Sequence, residues 1–258
     1  MRIKLLLLIW LCCSNIALSV ATDKPGMLLV TEEWAPFNYQ ENGKLVGFST
    51  EIVAGILKLL NEDYQIQLLP SLRSTRVLNS RPQTMMFSLF RTPSREQQYK
   101  WIGPLSDGSI YFYKRRGHRI PVDSLADLKR VKRIATRHQG IIPSLLLEQG
   151  FENLDMTATS SMQVYQKLLL GRADIAISDT DLGVSHNMRM LAVDMRRIEK
   201  IPIQVFRSDL YIAAHKDLPD SEIQRWQAAL DTLKANGSYQ AIFDKYMQTS
   251  LATSRPTQ

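Results

Sequence analysis

Met27-Leu28-Leu29-Val30, then Ser49 to Leu60, then Gln65-Ile66-Gln67-Leu68 form an apolar run, an amphipathic stretch and an alternating run in close succession. In the middle stretch Ile52, Val53, Ile56, Leu59 and Leu60 recur at helical spacing, with Ser49 or Thr50 placed to cap its start and Asn61 near its end. The first run reads as a short buried strand and the last as a strand by its alternation. Strand, helix, strand is the unit from which parallel sheets are built, so the chain is α/β from its first elements. Trp34-Ala35-Pro36-Phe37, between the first strand and the helix, is a loop, because proline cannot continue the strand.

Working outward, the pattern continues. Met85-Met86-Phe87, Ser109 to Tyr113 and Ile134-Ala135-Thr136 read as strands, with a short helix from Ser124 to Lys129 carrying its own Ser-x-x-Asp cap. A second series follows: a helix from Pro143 to Gln149 stopped by Gly150, another from Met162 to Leu170 stopped by Gly171, and a strand at Ile175-Ala176-Ile177. Leu210 to Ala214 reads as a late strand. Glu222 to Ala235 reads as a helix with Ser221 and Gln224 as a capping box and Asn236-Gly237 as its stop, and a last helix runs from about Tyr239 to Met247. No internal repeat or low-complexity linker interrupts the chain, so two α/β lobes joined by crossing strands are expected.

The 258 residues suffice for two domains, and 45% hydrophobic against 22% charged residues allows a buried core. The +7 net charge is carried by scattered bases without any nucleic-acid-binding signature, which argues against a nucleic-acid partner. Arg2 and Lys4, the apolar run from Leu5 and the small residues Ser19-Val20-Ala21 spell a secretory signal over 1–21. The run is too short to span a membrane, and Trp10-Leu11 before Cys12 is too bulky for a lipidation site. Both cysteines lie within the signal, so the exported chain carries neither disulfide nor thiol.

In order and spacing, Trp34-Ala35-Pro36-Phe37 with Gly47-Phe48, Thr92-Pro93-Ser94-Arg95-Glu96, Ser124 to Lys129, Gln139-Gly140, Gly171-Arg172-Ala173-Asp174 running on to Asp179, and Lys234 to Tyr239 resemble the bacterial extracellular solute-binding proteins of family 3. These are periplasmic receptors best known from polar amino-acid ABC importers. The resemblance spans about Leu28 to Met247 and implies a two-lobed clamshell of mixed sheets flanked by helices, the second lobe inserted in the first. On that reading 22–106 and 210–249 form lobe 1, 107–209 forms lobe 2, and 250–258 is a flexible tail.

The resemblance also assigns residues. Arg95 stands where the family grips a ligand carboxylate, and Asp179 where it takes the α-ammonium. A guanidinium fork fits a carboxylate, and both contacts strengthen once closure excludes water. Trp34 and Phe37 match the aromatic loop over the ligand, and Ser88 a hydroxyl or backbone partner at a strand end. Two departures stand out: Phe90 where a hydroxyl is common, and Ile141-Ile142 after Gln139-Gly140 where Thr or Ser is usual. Arg91 and Arg137 are near enough in sequence to replace the missing contacts, which would favour a more anionic or less standard ligand.

Catalysis finds little support. The four histidines lack metal spacing, and no nucleophile elbow or phosphate loop is present, so neither enzyme activity nor a cofactor or metal is expected. The expectation is a monomeric periplasmic receptor that closes on a small polar or zwitterionic solute and presents it to a membrane ABC permease. The alternatives are a ligand-sensing adaptor for a membrane signalling partner and a periplasmic dehydratase of the same fold.

Overall fold

The computed structural model describes residues 26–251, so the expected signal at 1–21 and the end of the expected tail, 252–258, lie outside the described residues. The chain opens with β1 (Leu28–Thr31), a small hairpin of β2 (Tyr39–Glu41) and β3 (Lys44–Val46), α1 (Phe48–Leu60), β4 (Gln65–Leu68), α2 (Ser71–Ser80), β5 (Thr84–Phe90) and β6 (Tyr99–Ser106). It continues through β7 (Ile110–Arg115), α3 (Leu125–Arg130), β8 (Ile134–Arg137), α4 (Ile141–Glu148), β9 (Leu154–Ala158), α5 (Ser161–Leu169), β10 (Ile175–Ala176), α6 (Asp181–Met190) and β11 (Ile198–Phe206). It closes with β12 (Leu210–His215), α7 (Asp220–Ala235) and α8 (Ser238–Leu251), so the last helix takes in Ser250 and Leu251 of the expected tail.

Two five-stranded sheets result, in the orders β4-β1-β5-β12-β6 and β11-β7-β10-β8-β9. In the first, β1 runs parallel to β4 and β5 while the returning β12 runs antiparallel to β5 and β6. In the second, β8 is parallel to β9 and β10, and β7 is antiparallel to β10 and β11. The chain passes from one sheet to the other at 107–109 and returns at 207–209. These crossings touch backbone to backbone, since a Cβ on Gly108 would stand 1.9 Å from the Ser208 carbonyl oxygen, and the Ser208 hydroxyl ties the second crossing to the residue after β5 by donating to the Arg91 carbonyl at 2.6 Å.

Burial accounts for the strands. β1 and β5 are buried at every position, as expected of central strands in a sheet covered by helices on both faces. Trp226 of α7 is fully buried, and Gly55 of α1 lets Leu233 of α7 approach so closely that a Cβ there would be 3.0 Å from its Cδ1. Three rings of α8, Tyr239, Phe243 and Tyr246, meet Phe48 edge-on at 5.6–6.3 Å between centroids. The two ends of the chain thus share one core.

Several local expectations are corrected. Helix α1 starts at Phe48 with Gly47 as N-cap, so neither Ser49 nor Thr50 caps it. Its first amides are satisfied by the preceding loop instead: Phe48 N–H donates to Pro36 O at 2.8 Å, and Ser49 and Thr50 N–H donate to Phe37 O at 2.9 and 3.2 Å. Helix α7 starts at Asp220 after Pro219 with no side-chain cap, so the Ser221/Gln224 box does not form. The expected strand at 175–177 contains only Ile175 and Ala176. The Ser124 cap on α3 does form, accepting from Asp127 N–H at 3.2 Å. Helices α2 and α6 and strands β2, β3, β6, β9 and β11 extend the expected pattern.

The clasp between α1 and the 34–38 loop depends on Gly47, whose φ of 128° is closed to L side chains and whose added Cβ would lie 2.4 Å from Phe37 O. Gly47→Ala is expected to destabilise by about 1–3 kcal/mol, whereas Ser49→Ala, which deletes a buried hydroxyl without a partner, is expected to be near neutral rather than to incur the roughly 1 kcal/mol loss of a real cap. Urea unfolding of both variants tests this; equal losses would mean that the start of α1 has been misjudged.

Candidate functional site

A cavity of about 550 Å³ lies between the two sheets. The carboxyl ends of parallel strands open onto it from both sides: Glu32 to Trp34 after β1, Leu68 at the end of β4 with Leu69 to Leu72 after it and Ser88 to Phe90 of β5 on one side, and Thr136 and Arg137 at the end of β8 with His138 to Pro143 after them and Ser178 after β10 on the other. This is where open α/β sheets gather ligands, because loops and helix starts converge there.

Helices α2 and α4 both begin on this cavity, at Pro70 and Gly140, and neither has a side-chain cap. Their first-turn amides add partial positive charge to the space. Two guanidiniums, Arg95 and Arg137, add full charges, and among the described residues neither forms an ion pair. Arg95 sits in the turn after β5, its N–H bonded to Thr92 O at 2.9 Å and its Nη1 donating to Phe90 O at 3.3 Å. Burial pushes its pKa down against smaller opposing effects of Tyr99 and Glu32, so the pocket gives this cation less solvation than water would. Glu32 and Glu33 are the carboxylates of the lining, and Glu33 accepts from Gln40 N–H at 3.3 Å.

Ser88 has a left-handed backbone, φ 63°, at the register shift between β5 and β12, where Leu89 pairs with Tyr211 and Phe87 with Ile212. Such a conformation costs a non-glycine residue about 1–2 kcal/mol. Its hydroxyl, that of Thr136 and Nε of Arg137 are buried without a partner, and all three residues line the cavity. In a cavity wall such atoms are open to hydrogen bonding from a molecule inside.

Not every expected residue reaches the cavity. Trp34, Ser88, Arg95 and Arg137 line it. Phe37 is fully buried in the core beneath the loop, 4.8 Å from the Trp34 ring and 6.4 Å from that of Phe48, and so is not a lid. Arg91 points away: its guanidinium donates twice to Glu96 at 2.5 and 2.7 Å and lies over Trp101 and Tyr211 on the surface. Asp179 directly follows the lining residue Ser178 yet is itself fully buried and outside the lining. Its Oδ1 accepts from the Trp34 indole at 2.5 Å, across the cleft, and its Oδ2 accepts from Asn187 Nδ2 at 3.2 Å. The N-cap of α6 is Thr180, whose hydroxyl accepts from Gly183 N–H, so Asp179 does not cap that helix.

Sequence reasoning missed the start of α2, which carries no capping side chain to announce it, and missed Thr136 and Thr159. Ile141 and Ile142, recognised as departures from the family pattern, form the cavity wall together with Pro143.

Among known proteins, the chain is 26% identical over 239 residues to "Putative ABC transporter arginine-binding protein 2" of Escherichia coli K12, covering 88% of this chain and 93% of the relative. The solved sensor domain of a histidine kinase with similarity to periplasmic binding proteins superposes with a TM-score of 0.73 at 18% identity, covering 86% of this chain and 96% of that one. A Salmonella typhimurium periplasmic binding protein of high arginine specificity superposes at 0.67 with 20% identity, covering 85% and 98%. At these identities the structural likeness speaks for the fold, a periplasmic-binding-protein clamshell. Residues 27–249 match the family's sequence pattern as a whole, and the chain belongs to the bacterial extracellular solute-binding proteins, family 3.

Proposed function

We propose that this chain is the solute receptor of an ABC importer: it captures a small carboxylate-bearing solute, an amino acid or a related compound, in the inter-sheet cavity and presents it to a membrane permease. The observation that carries this reading is the convergence of Arg95 and Arg137, two uncapped helix starts and the unpartnered Ser88 and Thr136 hydroxyls, drawn from both lobes, on one cavity. A carboxylate there would satisfy both guanidiniums and orphan donors while drawing the lobes together. The named relative, an ABC transporter arginine-binding protein, supports the same role. We place the protein in the periplasm as a monomer, exported by the 1–21 signal; among the described residues no helix is long and apolar enough to cross a membrane. We read it as a binding protein without catalysis, in keeping with its family.

The histidine kinase sensor domain, similar over most of both chains, favours a second reading in which the same closure is passed to a membrane signalling partner. Import of the ligand by cells carrying or lacking the gene separates the two.

Trp34 belongs to the first lobe and Asp179 to the second, so their hydrogen bond holds the cleft shut on one side, where Tyr39 also meets the His186 ring at 5.5 Å. Burial pushes the Asp179 carboxyl up to about 6, against the lowering effects of Ser161, Trp34, Arg137 and Asn187. A carboxyl raised from 3.8 to about 6 adds stability below pH 4 that is lost as pH rises through 6. His186, pushed down to about 4 by burial and Arg189, has the opposite dependence over the same interval, so the informative quantity is a difference between proteins.

Two predictions follow from the cavity and from this bond. Arg95→Ala is expected to weaken binding of a ligand found by thermal-shift screening by at least about thirtyfold, matching 2–5 kcal/mol for a buried charge contact left unpaired, while Arg91→Ala leaves it unchanged; calorimetry reads both, and equal affinities in wild type and Arg95→Ala would overturn the assignment. Asp179→Asn is expected to gain on the wild type by about 2–3 kcal/mol between pH 4 and 7, apart from a constant offset, and parallel urea-unfolding profiles would show that the carboxyl is not so raised.

A further inference from the structure

Charge is divided unevenly between the lobes. Residues 110–206 hold 15 Lys and Arg against 10 Asp and Glu, a net charge of +5, whereas 26–109 and 207–251 together hold 13 against 14. The excess gathers at one end of the second lobe. Strands β8, β9 and β10 run parallel with their carboxyl ends toward the cavity, so helices α4, α5 and α6, which follow them, run back to the opposite end. The turn after β7 and the stretches before β8, β10 and β11 lie at that far end too, since Ile198, which opens β11, pairs with Arg115, which closes β7. These connections bring together Arg116, Arg119, Lys132, Arg133, Arg172 and Arg197, all exposed and, among the described residues, none in an ion pair. Four carboxylates nearby are engaged: Asp127 pairs with Arg130, Asp155 accepts from Lys167 Nζ at 2.7 and 2.8 Å, Asp194 accepts from Arg196 at 2.5 and 2.9 Å, and Asp174 lies 3.6 Å from His118. Asp123, Glu148 and Glu152 are exposed and without an ion pair among the described residues, so the six free cations outnumber the free carboxylates. Between β9 and the turns into β8 and β10 a hollow of about 530 Å³ opens, lined by Lys132, Arg133, Lys167 and Arg172 together with the engaged Asp155 and Asp174. The partial negative charge of the helix ends is met within the protein at α5, where Arg115 Nη1 donates to the Leu168 and Ala173 carbonyls at 2.7 and 2.8 Å.

The same end exposes apolar side chains. Leu147, Leu170 and Met190, at the ends of α4, α5 and α6, are 52%, 66% and 56% exposed, three of the six exposed large hydrophobics among the described residues. A protein interface is built on a contiguous, well-packed apolar centre. Single apolar side chains set among cations suit a bilayer surface instead, where each enters the headgroup layer by itself while lysines and arginines meet lipid phosphates. We propose that this far end of the second lobe docks on a membrane rich in anionic phospholipid, with the 530 Å³ hollow receiving a headgroup phosphate. The first lobe has no excess of positive charge to compete for that surface. The cavity lies at the opposite end of the second lobe, so a docked molecule keeps its cleft clear of lipid. Such docking brings the protein beside an importer or a signalling partner in the same bilayer, and it holds whatever the cavity binds.

The test is co-sedimentation of the mature chain with vesicles of phosphatidylglycerol and phosphatidylcholine in about equal parts, against vesicles of phosphatidylcholine alone. It is run at about 0.1 M salt and again at about 1 M, where the screening length falls from about 10 Å to about 3 Å. The expected result is binding to the mixed vesicles only, released by the higher salt. The triple variant Lys132→Gln, Arg133→Gln, Arg172→Gln is expected to bind about a hundredfold more weakly, since each cation near such a surface contributes about fivefold. Leu170→Ser is expected to bind several-fold more weakly. A control with the same loss of charge on the first lobe, Lys58→Gln, Arg76→Gln, Lys216→Gln, is expected to stay within about threefold of wild type. All these side chains are exposed, and thermal unfolding midpoints check that each variant is folded. Absence of binding to the mixed vesicles, equal binding to phosphatidylcholine alone, or equal weakening by the two triple variants would each overturn the proposal. Inorganic phosphate titrated calorimetrically separates the two sources of the group: a chain that binds free phosphate but ignores vesicles overturns membrane docking. Arg95→Ala is expected to bind vesicles as the wild type does, so failure here and failure of the receptor reading are told apart.

Discussion

One hydrogen bond, from the Trp34 indole to the Asp179 carboxylate, joins two sheets that share no strand. Its setting explains why both partners are where they are. Trp34 is held because the loop that carries it is clasped by the first amides of α1, and Asp179 is held because Asn187 and the bare backbone of Gly183 fix it from α6. A carboxylate buried to this depth needs hydrogen-bond donors to stay ionised at all, and the indole supplies one from the opposite lobe. The contact therefore ties the protonation of one lobe's interior to the separation between the lobes.

The cavity that Trp34 also lines is built on the reverse principle. There the Ser88 and Thr136 hydroxyls and the Arg137 Nε are buried without internal partners, and helix starts are left uncapped. Stability is forgone at Ser88, whose left-handed backbone places its hydroxyl at a strand irregularity instead of within a regular ladder. Side by side in one cleft stand a carboxylate satisfied by the protein itself and polar atoms open to a group from outside.

The fold was largely legible in the sequence because its signals are local. Helical spacing at Ile52 to Leu60, the Ser124 cap and the glycine stops at Gly150 and Gly171 each act within a few residues, and the structure contains the corresponding elements. Caps failed where a distant group won: at α1 the carbonyls of Pro36 and Phe37 displaced Ser49, and at α7 the proline before the helix displaced Ser221. The site was legible only in part. Arg95, Arg137, Ser88 and Trp34 line the cavity, but the direction of a side chain depends on neighbours that sequence order does not reveal. Glu96 is five residues from Arg91 and turns it outward, and Phe48 closes over Phe37 from a helix away. The withdrawal of Asp179 depends on Trp34, which lies 145 residues away in the chain.

The crossings at 107–109 and 207–209, pressed together at Gly108 and Ser208, bear on what kind of machine this is. A single tether lets two bodies swing, twist and slide, whereas two tethers in contact resist twist and slide because each would have to stretch against the other. One soft rotation is left, about the line through the pair. For any partner that docked across both lobes, such a molecule would present a single variable, the opening angle.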